Sequence, residues 1–130
     1  MSVVTNVLLT GIGCERVADL LNLWLNDPAH ERTYKSLLRI DGGAGGTRNM
    51  ETDVFAAGLN WLEVPEFIDE YRRVIAQETR KCRSGLGHVQ LFICRQDDMK
   101  FNEIPQTEDN IDYNYRTAEL DVPRVAAKAA

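Results

Sequence analysis

Apolar and polar positions fall into six blocks along the chain, and the spacing within each block predicts an element. Residues 3–11, VVTNVLLTG, are rich in Val, Leu and Thr and read as a first strand, broken by Gly11 and Gly13. The period then changes. Val17, Leu20, Leu21, Trp24 and Leu25 recur at i, i+3, i+4, i+7 and i+8, one apolar stripe of a helix over about residues 14–26. Asp27-Pro28 ends that helix, because a residue before proline avoids helical angles.

A polar connector, residues 30–35, leads into SLLRID, residues 36–41, which reads as a short second strand. Residues 51–60, ETDVFAAGLN, read as a third strand, although Ala56, Ala57 and Gly58 are poor strand formers and leave a helical reading open. Glu63-Val64-Pro65-Glu66 has the form of a helix start, since proline needs no N–H in the first turn and early carboxylates suit the positive helix end. Val64, Phe67, Ile68, Tyr71, Val74 and Ile75 continue it as a single stripe. Arg80, Lys81 and Arg83 crowd its expected last turn, with Gly85 placed to cap it. Residues 88–95, HVQLFICR, read as the last strand.

The order β-α-β-β-α-β predicts an α+β, ferredoxin-like sandwich. Right-handed crossovers would give a four-stranded antiparallel sheet in the order 4-1-3-2, with both helices on one face. Residues 1–101 form the expected domain, and residues 102–130 a polar, irregular C-terminal extension that frays at its end. Within that extension Ile111, Tyr113 and Tyr115 alternate, which suits either an edge strand or a segment laid across the sheet.

Strand parity divides the sheet into two faces. Val3, Val7, Leu9, Phe55, Ala57, Leu59, Trp61, Val89, Leu91 and Ile93 fall on the side expected to meet the helices, where Trp24 and Phe67 should be buried. The helix-free side would carry Asn6, Leu8, Arg39, Ala56, Gly58, Asn60, His88, Gln90 and Phe92. That mixture is too apolar for a wholly wet face and too polar for a core. It suits a sheet-to-sheet homodimer, a covering by the C-terminal segment, or a shallow pocket of mixed character.

Composition narrows the partners. The chain has 130 residues, 44% of them hydrophobic, enough for one core. No apolar run is long enough to span a bilayer, and the first residues lack the basic and small-residue features of a signal peptide, so no membrane association is expected. A net charge of -5 argues against nucleic acid. Cys14, Cys82 and Cys94, odd in number and widely spaced, fit free thiols and a cytoplasmic setting better than a disulfide framework.

The most unusual stretch is DGGAGGTRN, residues 41–49. A phosphate cradle needs a following helix, and a P-loop also needs a lysine. Neither is present, so the stretch reads as a mobile hairpin tip, with Arg48 and Asn49 as polar ends of a flap that could contact a ligand or partner. No metal-ligand spacing and no cofactor fingerprint occur. The expectation is therefore a small cytoplasmic, non-catalytic binding protein, a homodimer that engages a further protein or a small molecule through the helix-free face and the flap. The alternative is a small isomerase- or lyase-like enzyme on the same face, with His88 as acid/base and Arg39 as anion holder.

Overall fold

The structure, a computed structural model, describes residues 3–48 and 50–107. The first strand, β1 (Val4–Gly11), leads through a tight turn into α1 (Glu15–Leu25). Gly11 at φ 146° and Gly13 at φ 76° make that turn, and Gly11 has a second constraint. A Cβ there would stand 3.1 Å from the Cα of Val89 on the neighbouring segment. β2 (Leu38–Arg39) and β3 (Asp53–Asn60) form the hairpin, followed by α2 (Val64–Thr79), β4 (Gln90–Arg95) and β5 (Asn102–Ile104).

The protein is α+β, with one antiparallel sheet in the order β2-β3-β1-β4-β5 and two helices. The sheet has five strands where the sequence predicted four, because Asn102–Ile104 adds an edge strand to β4. Ile104 is 2% exposed, Arg72 Nε donates to the Pro105 carbonyl, and Gln106 Nε2 donates to the carbonyls of Leu86 and Val89. The chain thus remains fastened to the body through at least residue 106. The alternating stretch Ile111, Tyr113, Tyr115 lies outside the described residues.

One core joins Val7, Leu9, Phe55, Leu59, Leu91 and Ile93 from the sheet to the stripes of both helices, which touch each other. Every apolar stripe residue of α2 is buried, with Phe67 and Tyr71 at 0% exposure. α1 is less regular. Val17, Leu21 and Leu25 are buried, while Leu20 and Trp24 are half-buried at the edge of the core.

Three local predictions need correction. β2 is two residues long rather than six, since α1 captures the backbone before it. Asn22 donates through Nδ2 to the Leu37 carbonyl at 3.1 Å and accepts the Leu37 N–H at 2.7 Å, and Asn26 Nδ2 donates to the Tyr34 carbonyl. Trp61 lies just past β3 with a positive φ of 59°, and its side chain is 43% exposed instead of entering the core. α2 ends at Thr79, so Arg80, Lys81 and Arg83 lie beyond its last turn, and Gly85, at φ 78°, serves a later turn.

Candidate functional site

The face of the sheet away from the helices is built by cross-strand rows. The longest runs Leu38, Ala56, Leu8, Phe92, Glu103 across all five strands. Flanking rows run Gly58, Asn6, Cys94 and Val54, Thr10, Gln90, and a further pair sets Asn60 beside Val4. Of the predicted site residues, Asn6, Leu8, Asn60, Gln90 and Phe92 do share this face. Asn6, Asn60 and Gln90 are exposed, while Leu8 and Phe92 are half-buried. Leu38, not singled out by sequence reasoning, is 66% exposed at the edge of the same row.

Glu103 is the charged side chain among these paired positions, and it accepts a hydrogen bond from Gln90 Nε2 at 3.1 Å. Ala56 and Gly58 carry little side chain, so the surface dips along β3 beside Leu8 and Asn6. Amides, a hydroxyl and apolar groups can hydrogen-bond and exclude water. They provide no acid/base pair.

Arg39 and His88 sit elsewhere. The register sets Arg39 opposite Phe55, on the helix side, because Leu38 takes the position facing away. Its guanidinium lies 4.9 Å from the Phe55 ring centroid. Nη1 reaches Asp53 Oδ1 at 2.9 Å and both Asp41 carboxylate oxygens at 3.2 Å, and Nη2 stands 3.9 Å from Glu15. The hydrogen bond to Asp53 is the main reason its pKa is raised. Asp53 also accepts the Gly13 N–H at 2.9 Å, and Asp41 accepts the Val54 N–H at 3.0 Å. That N–H, with Arg39 beside it, holds the Asp41 carboxyl below the ordinary aspartate value. This network fastens the hairpin base to the start of α1, and it commits Arg39 to carboxylates rather than to an incoming anion.

His88 belongs to the turn before β4, which starts at Gln90. It is exposed, and its Nε2–H donates to the Ile12 carbonyl at 2.8 Å. The ring ties the β1–α1 turn to the approach of β4 and is not in the face. Cys14, buried beneath the same turn, is pushed up to about 11 by burial, with Asp53 adding to the effect. A thiol so raised stays protonated and is not a nucleophile at neutral pH.

The glycine stretch joins β2 to β3 as a hairpin connection. Asp41–Gly43 makes one 3₁₀ turn, and residues 44–48 are exposed. Gly42, Gly43 and Gly45 would each tolerate a Cβ with nothing within 4 Å, whereas Gly46 is held at φ 116°. The next element is β3, so no helix N-terminus converges on the loop. Arg48 is 84% exposed and stands 3.9 Å from Glu51. Asn49 lies outside the described residues.

Among the described residues, no helix is long and apolar enough to cross a membrane, and no group of three or more His, Cys, Asp or Glu side chains is placed to hold a metal ion. No family model matches the chain, and neither a curated protein nor a solved structure matches it.

Sequence reasoning missed one cluster entirely. His30 reads as an exposed connector residue, yet it is half-buried against Trp24, with Tyr34 beside both. The available signal was the presence of two ring side chains in an otherwise polar segment.

Proposed function

We propose that the protein is a non-catalytic, ferredoxin-like interaction protein with an added edge strand, and that its open sheet face receives a second copy of the same chain. The carrying observation is the row Leu38, Ala56, Leu8, Phe92, apolar and uncovered by either helix. Charge favours self-association there. A chain with net charge -5 repels its copies over most of its surface, and this face is nearly free of charge.

Edge pairing is the weaker route, since β2 and β5 offer two and three residues for a ladder. The strands present on the order of 400–500 Å² of sheet per partner, about 800–1,000 Å² for the pair, the range of weak and transient interfaces. A reversible, micromolar dimer is the corresponding expectation. The glycine hairpin extends past β2 and would add contact area at the rim. A cytoplasmic setting suits the free thiols.

The enzyme alternative draws no support from the geometry, because His88 is bonded to backbone and Arg39 to carboxylates. Sedimentation equilibrium across micromolar to millimolar concentration tests the proposal. Wild-type chain should show a monomer–dimer equilibrium. Asn6→Glu, an exposed change that adds like charge to both partners, should abolish it while leaving the melting temperature unchanged at concentrations where the wild-type chain is monomeric. Monomer at every concentration, or a dimer indifferent to Asn6→Glu and Leu38→Glu, would remove the reading.

A further inference from the structure

A cavity of about 360 Å³ lies on the helix side of the molecule, between the end of α1, the connector after it and the first half of α2. One wall is aromatic. The Trp24 and His30 rings meet edge to face at 4.4 Å, and Tyr34 lies nearly parallel to Trp24 at 6.1 Å. His30 Nε2 and the Tyr34 hydroxyl are already engaged. His30 Nε2–H donates to the Trp24 carbonyl at 2.7 Å. Tyr34 Oη donates to the Trp61 carbonyl at 3.1 Å and accepts the Glu63 N–H at 3.3 Å. His30 and Tyr34 are therefore held in place beside Trp24, and the wall offers a ligand its aromatic faces.

The other wall is acidic, with Glu63, Glu66, Asp69 and Glu70 lining it. The positive end of α2 explains carboxylates in the first turn, but that effect fades within one turn and does not account for Asp69 and Glu70. Arg73, the cationic side chain of the lining, is held by both Glu70 oxygens and by Gln77. The α2 wall thus carries four carboxylates and one guanidinium opposite the aromatic side chains.

We infer that this cavity binds an organic ammonium cation. Aromatic faces attract cations through their quadrupole, most strongly at tryptophan, and the carboxylates add long-range attraction. An anion would meet repulsion from the acidic wall. A bare metal ion would find no cluster of ligating groups here among the described residues. The volume, at the lower end for small-molecule sites, admits an ammonium head and a short stem. A free alkylammonium compound and a lysine side chain share that chemistry. The inference is independent of the sheet-face dimer, which uses the opposite side of the molecule.

Titration of the full chain with choline chloride, followed at the Trp24 indole N–H by ¹⁵N–¹H spectra at constant ionic strength, tests it. The resonance is assigned with Trp61→Phe. A saturable shift in the millimolar range is expected, with the neutral isostere 3,3-dimethyl-1-butanol binding about tenfold more weakly. Glu66→Gln, an exposed change, should weaken choline about threefold. Trp24→Phe keeps a ring against Phe67 and, followed at the backbone amides of His30 and Tyr34 instead, should weaken it about fivefold. Nα-acetyl-lysine amide is the second probe. Tighter binding of it than of choline assigns the site to a protein segment, and the reverse order assigns it to a free amine. No saturable shift with either cation, or equal affinity for the isostere, would overturn the inference.

Discussion

β1 belongs to two environments at once. Val7 and Leu9, at 2% and 0% exposure, lie beneath the helices, while Asn6 and Leu8, alternating with them, face away. The same strand, with the same hydrogen-bond ladders on both sides, carries a core and an open surface. The difference arises from topology: both crossovers return over one face, and only that face receives a helical layer. The open face nevertheless keeps apolar residues at its centre, which ordinary solvation does not require. A single strand can thus encode a packing surface and an open surface through alternation alone.

The sharpest way to break this contrast is to injure each face in turn. Phe67→Ala should cost about 3–5 kcal/mol in urea unfolding, because Phe67 is fully buried beneath the covered side. Leu8→Ala should cost the monomer only about 1 kcal/mol, since the side chain is half-buried and uncovered, and its larger effect should be on association. Equal losses in the two variants would mean that the faces do not differ as described.

The boundary between the faces can be tested at β2, where Leu38 points away and Arg39 toward the helix side. Asp41, which anchors Arg39 and the Val54 N–H, titrates below the ordinary aspartate value of 3.8. A carboxyl with a depressed folded pKa contributes stability that is present above its unfolded value. That contribution is lost as pH falls through the folded one. Protection of the Val54 amide should therefore decline below about pH 4, and Asp41→Asn should flatten the decline. An identical acid profile in the variant would show that another group governs the hairpin base.

The smallest effects belong to the glycine connection, which lies in neither layer. Gly46→Ala should cost about 1 kcal/mol because of its positive φ. Gly42→Ala and Gly45→Ala should stay within about 0.5 kcal/mol of wild type in the same melts.

Long-period features were legible in the sequence. Both helix stripes, the hairpin and the shared face of Asn6, Leu8, Gln90 and Phe92 follow from periodicities of 3.6 and 2. What was not legible depended on partners distant in the chain. Arg39 changed sides because the pairing of Leu38 with Ala56 sets the parity of a two-residue strand, and nothing within SLLRID reveals that register. The fifth strand, Asn102–Ile104, is too short and polar to announce itself, and becomes a strand only because β4 presents an edge. The aromatic cavity was hidden for a similar reason. Its wall forms when the connector folds back onto Trp24, and asparagine side chains rather than a hydrophobic pattern direct that return.

That return has a kinetic consequence. Asn22 and Asn26 grip Leu37 and Tyr34 across separations of 15 and 8 residues, whereas β1 must find β4 from the far end of the chain. Short loops close at lower entropic cost than long ones, so the helix and its exit path can assemble as a preformed unit before the strands on either side are collected. The Leu37 amide lies outside every ladder of the sheet. In native-state hydrogen exchange it should follow the amides of α1, so that its protection survives the loosening of β2 from β3.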